Sequence, residues 1–295
     1  MIKIRYTCFW PGFNPQSFFI NNFLDDYKIV NDDSYDVIVM SVFNYANLKV
    51  KDNSIKILFN GEHPSYIDRF INITNIKLDL VIGFTQNNLN ITQLYYPLWI
   101  LYYDKVYNQT YFDNINKHIK NIKIEDLVNK KFCCLINSHD SNNTRIPIYS
   151  SLIKFNRIDC PGRLLNNMKN IGTSEKDKIK FMNNYLFNIC SENGRGNGYL
   201  TEKLPQCLES LCIPIYYGDI NRFNSNIFNI NRIINIQDIN NLDNIIDKIN
   251  NLLKNKEELL NFYRQDIFNS NAYKYIEQIN NIAKITINKI INKNN

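Results

Sequence analysis

Phe187–Asp219 reads FNICSENGRGNGYLTEKLPQCLESLCIPIYYGD and carries the strongest structural signal in the chain. An apolar run, a glycine-rich loop, a charged helix start, a helix and a second strand opened by Pro214 follow one another. The loop contains Gly194, Gly196 and Gly198, three of only nine glycines in the 295 residues. Glycine allows tight turns and the close approach of a backbone to a ligand. The loop is therefore predicted to turn sharply or to contact a ligand.

The order of apolar runs predicts an α/β protein with parallel sheets. Eight short runs are bounded by polar residues: Ile2–Phe9, Asp36–Val42, Ile55–Phe59, Leu78–Phe84, Lys131–Asn137, Leu186–Cys190, the run containing Pro214, and Arg232–Ile236. Longer polar or helical stretches separate them, which is typical of the crossover connections in doubly wound sheets. We therefore expect two α/β halves with a cleft between them, and ligands outside the carboxyl ends of the strands.

The region Tyr102–Asn129 separates the two halves. It is polar and irregular and contains no strong strand, so its end is the predicted linker. The expected domains are residues 1–129, residues 130–268, and a C-terminal helix over residues 269–295 that packs back on them.

Helical spacing of apolar residues predicts helices at Asn143–Phe155, Asn240–Lys254 and Lys274–Ile291. The last two are amphipathic, and a membrane-surface role is the alternative to packing on a sheet. Their polar faces are rich in asparagine and not dominated by cations, which favours packing on a sheet.

The composition is that of a globular protein, and its net charge is compatible with an anionic ligand. Hydrophobic residues make up 44% and charged residues 21% of the chain. No apolar run could cross a bilayer, and the N-terminus lacks the pattern of a secretory signal. The net charge of +6 suits a nucleotide, whereas the lysines are too dispersed for a nucleic-acid surface. Seven cysteines, mostly inside apolar runs, indicate reduced thiols and a cytoplasmic protein.

The residues after the glycine loop have the chemistry of an anion site. Thr201 is a predicted N-cap, which would place Glu202 and Lys203 in the first turn of a helix. The helix N-terminus and Lys203 could bind a phosphate, Glu202 could accept hydrogen bonds from a ribose, and Tyr199 could stack on the ligand. Thr-Glu-Lys is also a common helix start, and only the adjacent loop favours the ligand.

The glycine spacing matches neither a P-loop nor a Rossmann fingerprint. Instead, ENGRGNGYLTEK followed by IPIYYGD resembles the donor-binding signature of the α-1,3-fucosyltransferases, glycosyltransferase family ten. The resemblance implies a GT-B fold, two Rossmann-like domains facing a cleft, with GDP-β-L-fucose as donor and inversion at the anomeric carbon. By the family pattern, Asn193, Tyr199, Glu202 and Lys203 would hold the ribose and diphosphate.

Two further segments carry the resemblance. Residues 59–64, FNGEHP, resemble the family segment whose glutamate, here Glu62, is the proposed general base. Asn137-Ser138 with Arg145 resembles a motif whose arginine contacts the donor phosphate. Against these roles, Glu62 could be a solvated loop carboxylate and Arg145 a surface arginine. Arg195, inside the glycine loop, could contact phosphate or face solvent.

The resemblance also implies how the leaving group is neutralised. No Asp-x-Asp occurs, and the three histidines lack ligand spacing with the cysteines, so neither a metal nor another cofactor is expected. Lys203, Arg145 and a helix N-terminus would act on the diphosphate. The expected activity is transfer of fucose to a glycan acceptor, at O3 of GlcNAc or Glc, by a soluble bacterial- or viral-type enzyme that has no transmembrane segment. The alternatives are another GT-B nucleotide-sugar transferase and a non-catalytic glycan- or nucleic-acid-binding module.

Overall fold

The computed structural model describes residues 1–85, 89–96, 98–102, 108–140, 142–172 and 174–292. Contacts between residues divide the chain into two compact units. The first unit comprises Met1–Tyr103, Gly196–Tyr199 and Ile276–Asn295; the second comprises Asp104–Arg195 and Leu200–Tyr275. The predicted domain boundaries at residues 129 and 268 stay a prediction.

The first unit contains a six-stranded parallel sheet. Its strands are β1 (Ile2–Thr7), β2 (Tyr27–Ile29), β3 (Val37–Met40), β4 (Ile55–Asn60), β5 (Leu80–Gly83) and β6 (Thr92–Tyr95), in the order β2-β1-β3-β4-β5-β6. Helix α1 (Ser65–Thr74) connects β4 to β5. Every residue of β3, β4 and β5 is buried, as expected for parallel strands covered on both faces.

The second unit contains a five-stranded parallel sheet. Its strands are β7 (Lys131–Cys134), β8 (Ile158–Asp159), β9 (Tyr185–Ser191), β10 (Ile213–Tyr217) and β11 (Ile234–Asn235), in the order β11-β10-β9-β7-β8. The predicted α/β class and all eight predicted strands are confirmed. The sequence analysis missed β2, β6 and β8, because these edge strands have only two to four residues and two of them are partly exposed.

The other helices are α2 (Gln109–Lys120), α3 (Ile124–Val128), α4 (Arg145–Leu152), α5 (Glu175–Met182), α6 (Lys203–Glu209), α7 (Arg222–Ile227), α8 (Asp243–Lys254), α9 (Lys256–Tyr263) and α10 (Ala272–Ile291). Short 3-10 helices occupy Pro15–Ser17, Phe19–Phe23, Leu98–Tyr102 and Ile230–Arg232. The helices predicted at Asn143–Phe155, Asn240–Lys254 and Lys274–Ile291 correspond to α4, α8 and α10, and the helix predicted after the glycine loop corresponds to α6. In the described part of the chain, no helix combines the length and apolar character needed to span a membrane.

The expectation of an irregular region between the halves was wrong for residues 109–128. That stretch forms α2 and α3, while residues 103–107 lie outside the described residues. The buried residues of α2 are Phe112 and Ile119, two turns apart, and this sparse spacing hid the helical period. Phe112 packs on Phe268, with ring centroids 4.4 Å apart, and so anchors α2 within the second unit.

Each sheet has one point where the strand order reverses. It lies between β1 and β3 in the first sheet and between β7 and β9 in the second. Connections leave in opposite directions at such a point and open a crevice at the carboxyl ends of the two strands, which is where doubly wound sheets bind ligands. The topology therefore marks one candidate position in each unit.

Gly83 ends β5 at a close backbone contact in the first sheet. Its φ is +121°, which side-chain-bearing residues rarely adopt. A Cβ at this position would lie 2.1 Å from the carbonyl oxygen of Asn60, the last residue of β4. Only glycine fits here, and the contact fixes the strand end that precedes Glu62.

Gly83→Ala is expected to lower the free energy of unfolding by about 3 kcal/mol, because backbone strain of about 1–2 kcal/mol adds to a comparable overpacking cost. Gly12→Ala is the matched control. Gly12 also has a positive φ, +81°, but a Cβ there meets nothing within 4 Å, so only the strain is expected. Urea titrations measure both losses, and equal losses would contradict the close contact at Gly83.

Candidate functional site

A cavity of about 610 Å³ opens in the second unit at the switch point between β7 and β9. The segments that line it lie at or after the carboxyl ends of β7, β8 and β9, or at the start and in the first turns of α4 and α6: residues 136–139, Arg145, 161–163, 188–191, Asn193, Glu202, Lys203 and Gln206. Residues 170–172, Lys178 and Met182 complete the lining. The site predicted from the topology is thus an actual cavity.

The charged residues of the lining are mainly cationic. The lining contains four cationic side chains and one carboxylate. The cations are Arg145, Arg163, Lys178 and Lys203, and the carboxylate is that of Glu202. A concave surface with an excess of one charge concentrates ligands of the opposite charge. The chemistry of this cavity therefore suits an anion. Within the described ranges, no group of three metal-binding side chains occurs.

Arg145 is the most deeply held cation of the cavity, with 2% of its surface exposed. Its Nη2 donates to the carbonyl oxygen of Ser191 at 3.2 Å and to Oδ1 of Asn193 at 2.7 Å, and its Nη1 donates to the carbonyl oxygen of His139. Two predicted site residues, Arg145 and Asn193, are therefore in direct contact. The alternative that Arg145 is a surface arginine was wrong.

Asp140 fixes the start of the helix that carries Arg145. Its carboxylate accepts hydrogen bonds from the backbone N–H groups of Thr144, Arg145 and Ile146 at 2.9–3.0 Å. A carboxylate here also complements the positive end of the helix dipole. Because Asp140 satisfies these donors, the guanidinium of Arg145, and not the N-terminus of α4, is the group offered to the cavity.

A buried carboxylate links the end of β9 to the start of α6. Glu192 is 0% exposed. Its Oε1 accepts from the backbone N–H of Thr201 at 2.8 Å, and its Oε2 accepts from the Thr201 hydroxyl at 2.8 Å and from Nζ of Lys203 at 3.1 Å. Lys203 also donates to Oγ1 of Thr201 at 3.0 Å. These contacts join the residues that precede and follow the glycine loop, and they hold the Lys203 ammonium group at the cavity wall.

The predicted N-cap at Thr201 was wrong. Helix α6 begins at Lys203, and Glu202 is its N-cap residue, without a side-chain capping bond. The Thr201 hydroxyl donates to Glu192, and its oxygen accepts from Nζ of Lys203 instead of from a backbone N–H group of the helix. Glu202 nevertheless lines the cavity beside Lys203, as the expected ligand-binding role requires.

The charge of Lys203 is stabilised despite its burial. Desolvation by itself lowers the pKa of this ammonium group, but the carboxylates of Glu192 and Glu202 and the hydrogen bond to Glu192 outweigh it. The guanidinium of Arg145 opposes them weakly. The resulting pKa of Lys203 lies above the usual lysine range, so the side chain is charged at neutral pH.

Tyr199 and Glu62 belong to the first unit and do not line this cavity. The Tyr199 ring is 1% exposed and packs edge-on against Phe84 at 4.8 Å and His63 at 5.4 Å. The role of Tyr199 as a donor-binding residue stays a prediction.

Glu62 is half-buried and follows the carboxyl end of β4. Its backbone N–H donates to Oδ1 of Asn60 at 3.1 Å, and Nδ2 of Asn60 donates back to the Glu62 carbonyl oxygen at 3.0 Å. Asn60 is fully buried, so this reciprocal pair fixes the backbone of the loop. The role of Glu62 as a base stays a prediction.

Arg195 lies apart from the cavity lining. Its guanidinium donates to the carbonyl oxygen of Gln237 and lies 5.5 Å from the centre of the Tyr217 ring. Arg195 is exposed, as the solvent-facing alternative described, and it makes these two contacts in addition.

The sequence analysis assigned no role to Asp140 or Glu192. Each acts through residues distant in sequence or through backbone N–H groups, which a local pattern does not display. A signal was present for Glu192, a charged residue directly after an apolar strand and before Asn193.

Comparisons with known proteins agree with this architecture. The family model described as glycosyltransferase family 10 (fucosyltransferase) C-term matches residues 127–286, and the model of the α-(1,3)-fucosyltransferase FucT N-terminal domain matches residues 4–102. The α-(1,3)-fucosyltransferase FucT of Helicobacter pylori is 27% identical over 259 residues, which are 78% of this chain and 49% of the relative. The putative fucosyltransferase R654 of Acanthamoeba polyphaga mimivirus is 25% identical over 255 residues, 82% of this chain and 38% of the relative. The chain thus spans half or less of the length of these relatives.

Solved structures share the fold. A crystal structure of an α1,3-fucosyltransferase matches with a TM-score of 0.67 and 20% identity, covering 100% of this chain and 92% of that one. A structure of an α1,3-fucosyltransferase with GDP-fucose matches with a TM-score of 0.63 and 19% identity, covering 95% and 90%. The predicted GT-B class and the family resemblance are confirmed. With one family model covering more than half of its residues, the chain belongs to glycosyltransferase family 10, the fucosyltransferase family.

Proposed function

We propose that the protein transfers L-fucose from GDP-β-L-fucose to a hydroxyl of a glycan acceptor, with inversion at the anomeric carbon. The observation that carries the proposal is the cationic cavity at the β7/β9 switch point, in a chain of the fucosyltransferase family. Related structures contain GDP-fucose or GDP. A nucleoside diphosphate has the charge that this cavity suits.

In this proposal, Arg145 and Lys203 hold the diphosphate. Cleavage of the bond between fucose and the diphosphate leaves negative charge on GDP, and fixed cations stabilise that charge. Both side chains are held by protein acceptors, Arg145 by Ser191 and Asn193 and Lys203 by Glu192. They therefore need little reorganisation when the charge develops.

The nucleoside would lie against the neighbouring polar groups of the site. Glu202 is a carboxylate at the cavity wall and can accept hydrogen bonds from the two ribose hydroxyls. Asn193 accepts a hydrogen bond from Arg145 through Oδ1, which leaves its amide N–H₂ as a donor for the ligand. Tyr199 is the remaining proposed contact, from the segment that joins the glycine loop to α6.

Inversion requires a base that acts on the acceptor. The acceptor hydroxyl attacks the anomeric carbon from the face opposite the diphosphate, and its proton passes to a carboxylate. We assign this role to Glu62, whose backbone Asn60 holds at the carboxyl end of β4. The proposed product is an α-1,3 linkage at O3 of GlcNAc or Glc.

The proposed location of the protein is a reducing compartment such as the cytoplasm. Six of the seven cysteines are buried, and all seven are free thiols in the described structure. Buried thiols of this kind are typical of proteins kept under reducing conditions.

Incubation of GDP-fucose with GlcNAc-, lactosamine- and glucose-type acceptors tests the activity, with mass spectrometry and linkage analysis of the products. Thermal shifts with GDP and UDP test the choice of nucleotide. Transfer from GDP-fucose and a larger shift with GDP support the proposal. The absence of transfer to every acceptor, together with no preference for GDP, would reject it.

Lys203→Ala and Arg145→Ala are each expected to weaken GDP binding about 10- to 100-fold, since a hydrogen bond to a charged group contributes about 1.5–3 kcal/mol. Titration calorimetry measures the change, and thermal unfolding checks that each variant is folded. Arg195→Ala is the matched control, because Arg195 lies outside the cavity lining and its loss should leave GDP binding unchanged. Unchanged affinity in the Lys203 and Arg145 variants would contradict their place on the diphosphate.

Glu62→Gln is expected to lower kcat by about 10²–10⁴-fold while GDP affinity stays near wild type, because the amide keeps the shape but cannot take the proton. Steady-state kinetics and GDP titration separate the two effects. Asp68→Asn changes an exposed carboxylate in the first turn of α1 and serves as the control, with unchanged turnover. Full activity of Glu62→Gln would remove Glu62 from the mechanism.

A further inference from the structure

The Glu192 carboxylate is completely buried beneath the cavity wall. It follows the last residue of β9, and its backbone N–H donates to the carbonyl oxygen of Tyr217 at 2.8 Å. Its two oxygens accept from the Thr201 N–H, the Thr201 hydroxyl and the Lys203 ammonium. A desolvated carboxylate needs such donors to stay ionised. The contacts that satisfy the Glu192 carboxylate therefore also locate Thr201 and Lys203.

The hydrogen bonds of the Lys203 ammonium group to the protein leave it one N–H bond for a ligand in the cavity. Two of its three N–H bonds are directed at Glu192 and Thr201, at 3.1 and 3.0 Å. The Lys203 side chain is 25% exposed and lines the cavity. The third N–H bond is therefore the one that can serve an acceptor in the cavity.

Stability alone gives a weak reason for this ion pair. Replacing a buried ion pair with apolar residues of similar volume is often neutral or stabilising, because the desolvation cost cancels much of the attraction. A buried lysine that lacks a carboxylate partner loses its proton more readily. What the pair supplies here is a lysine that is both fixed and charged at a cavity wall.

Three charged groups act on Lys203 from the elements around it. Glu192 at the end of β9 and Glu202 before α6 favour its charged form, and Arg145 at the start of α4 disfavours it. Without the Glu192 carboxylate, burial and Arg145 would still lower the pKa of Lys203, and of the two carboxylates only Glu202 would remain to raise it. Because burial disfavours the charged form, the pKa of Lys203 would then fall below the usual lysine range.

We propose that Glu192 is a positioning residue for nucleotide binding, which keeps Lys203 charged and oriented so that an anionic diphosphate binds without taking up a proton. This inference rests on the proposed nucleotide-sugar function. Glu192 does not touch the ligand in this account; it acts through the ammonium group.

The test is calorimetric titration with GDP from about pH 7.5 to about pH 9, in pairs of buffers with different ionisation enthalpies. Wild type should bind without proton uptake by the protein, because Lys203 is already charged. Glu192→Gln should lose about tenfold in affinity across this range and take up to about one proton per GDP. Ionisation of the nucleotide itself is common to every variant and cancels in the comparison.

Two further variants separate positioning from a merely structural role. In the double variant Glu192→Gln/Lys203→Arg, arginine stays charged at all these pH values, so pH-independent binding should return. Thr201→Val removes the hydroxyl but keeps the carboxylate, and it should bind GDP without proton uptake. A purely structural role of Glu192 predicts weaker binding with the wild-type pH dependence in both Glu192 variants.

The outcomes are distinguishable. Proton uptake by wild type, or a pH dependence of Glu192→Gln that matches wild type, overturns the inference while the proposed function stands. If Glu192→Gln does not fold, the wild-type and Thr201→Val titrations still decide, since uptake in either one contradicts it. Failure of wild type to bind GDP would overturn both proposals.

Discussion

A single buried carboxylate constrains the local architecture of the second unit. Glu192 has no access to water, so its charge is tolerable only where protein donors surround it. Those donors come from Thr201 and Lys203, nine and eleven residues later. The chain must therefore leave β9, turn through the glycine loop and return to the same point before α6 begins. The loop glycines supply that turn, with positive φ at Gly196 and Gly198.

The cations of the cavity follow the same physical logic. Arg145 is buried yet held by the oxygens of His139, Ser191 and Asn193, while Asp140 fixes the helix start behind it. Long cationic side chains lose conformational entropy when they bind a ligand. Side chains already ordered by protein acceptors have paid most of that cost during folding. Such preorganisation is what stabilisation of a developing charge requires.

Sequence patterns identified the parallel strands because the interior strands are continuous apolar runs. Strands such as Ile55–Asn60 are buried along their whole length, so their composition reveals them. Edge strands such as Tyr27–Ile29 are short and partly exposed, so their composition does not distinguish them from loops. They are recognised as strands by their pairing with a neighbouring strand in the folded protein. The irregular interpretation of residues 109–128 failed for a related reason, since α2 buries only Phe112 and Ile119.

The candidate site was predictable only in part. Arg145, Asn193, Glu202 and Lys203 were identified from motif resemblance, and the structure brings all four to one cavity. Tyr199 and Glu62 were identified in the same way, but they lie in the first unit. Asp140 and Glu192 act on backbone groups or on other side chains, so a local pattern shows little of these roles beyond the position of Glu192 directly after an apolar strand.

Local sequence was enough to specify the α/β class, the interior strands, the glycine loop and the residue types available for an anion site. These properties depend on local composition and spacing, which a linear chain displays directly. Folding determines which of those residues share a cavity, where α6 begins, and that Lys203 is hydrogen-bonded to Glu192. Burial and long-range hydrogen bonds exist only after folding, and they set the charge and orientation of each group in the site.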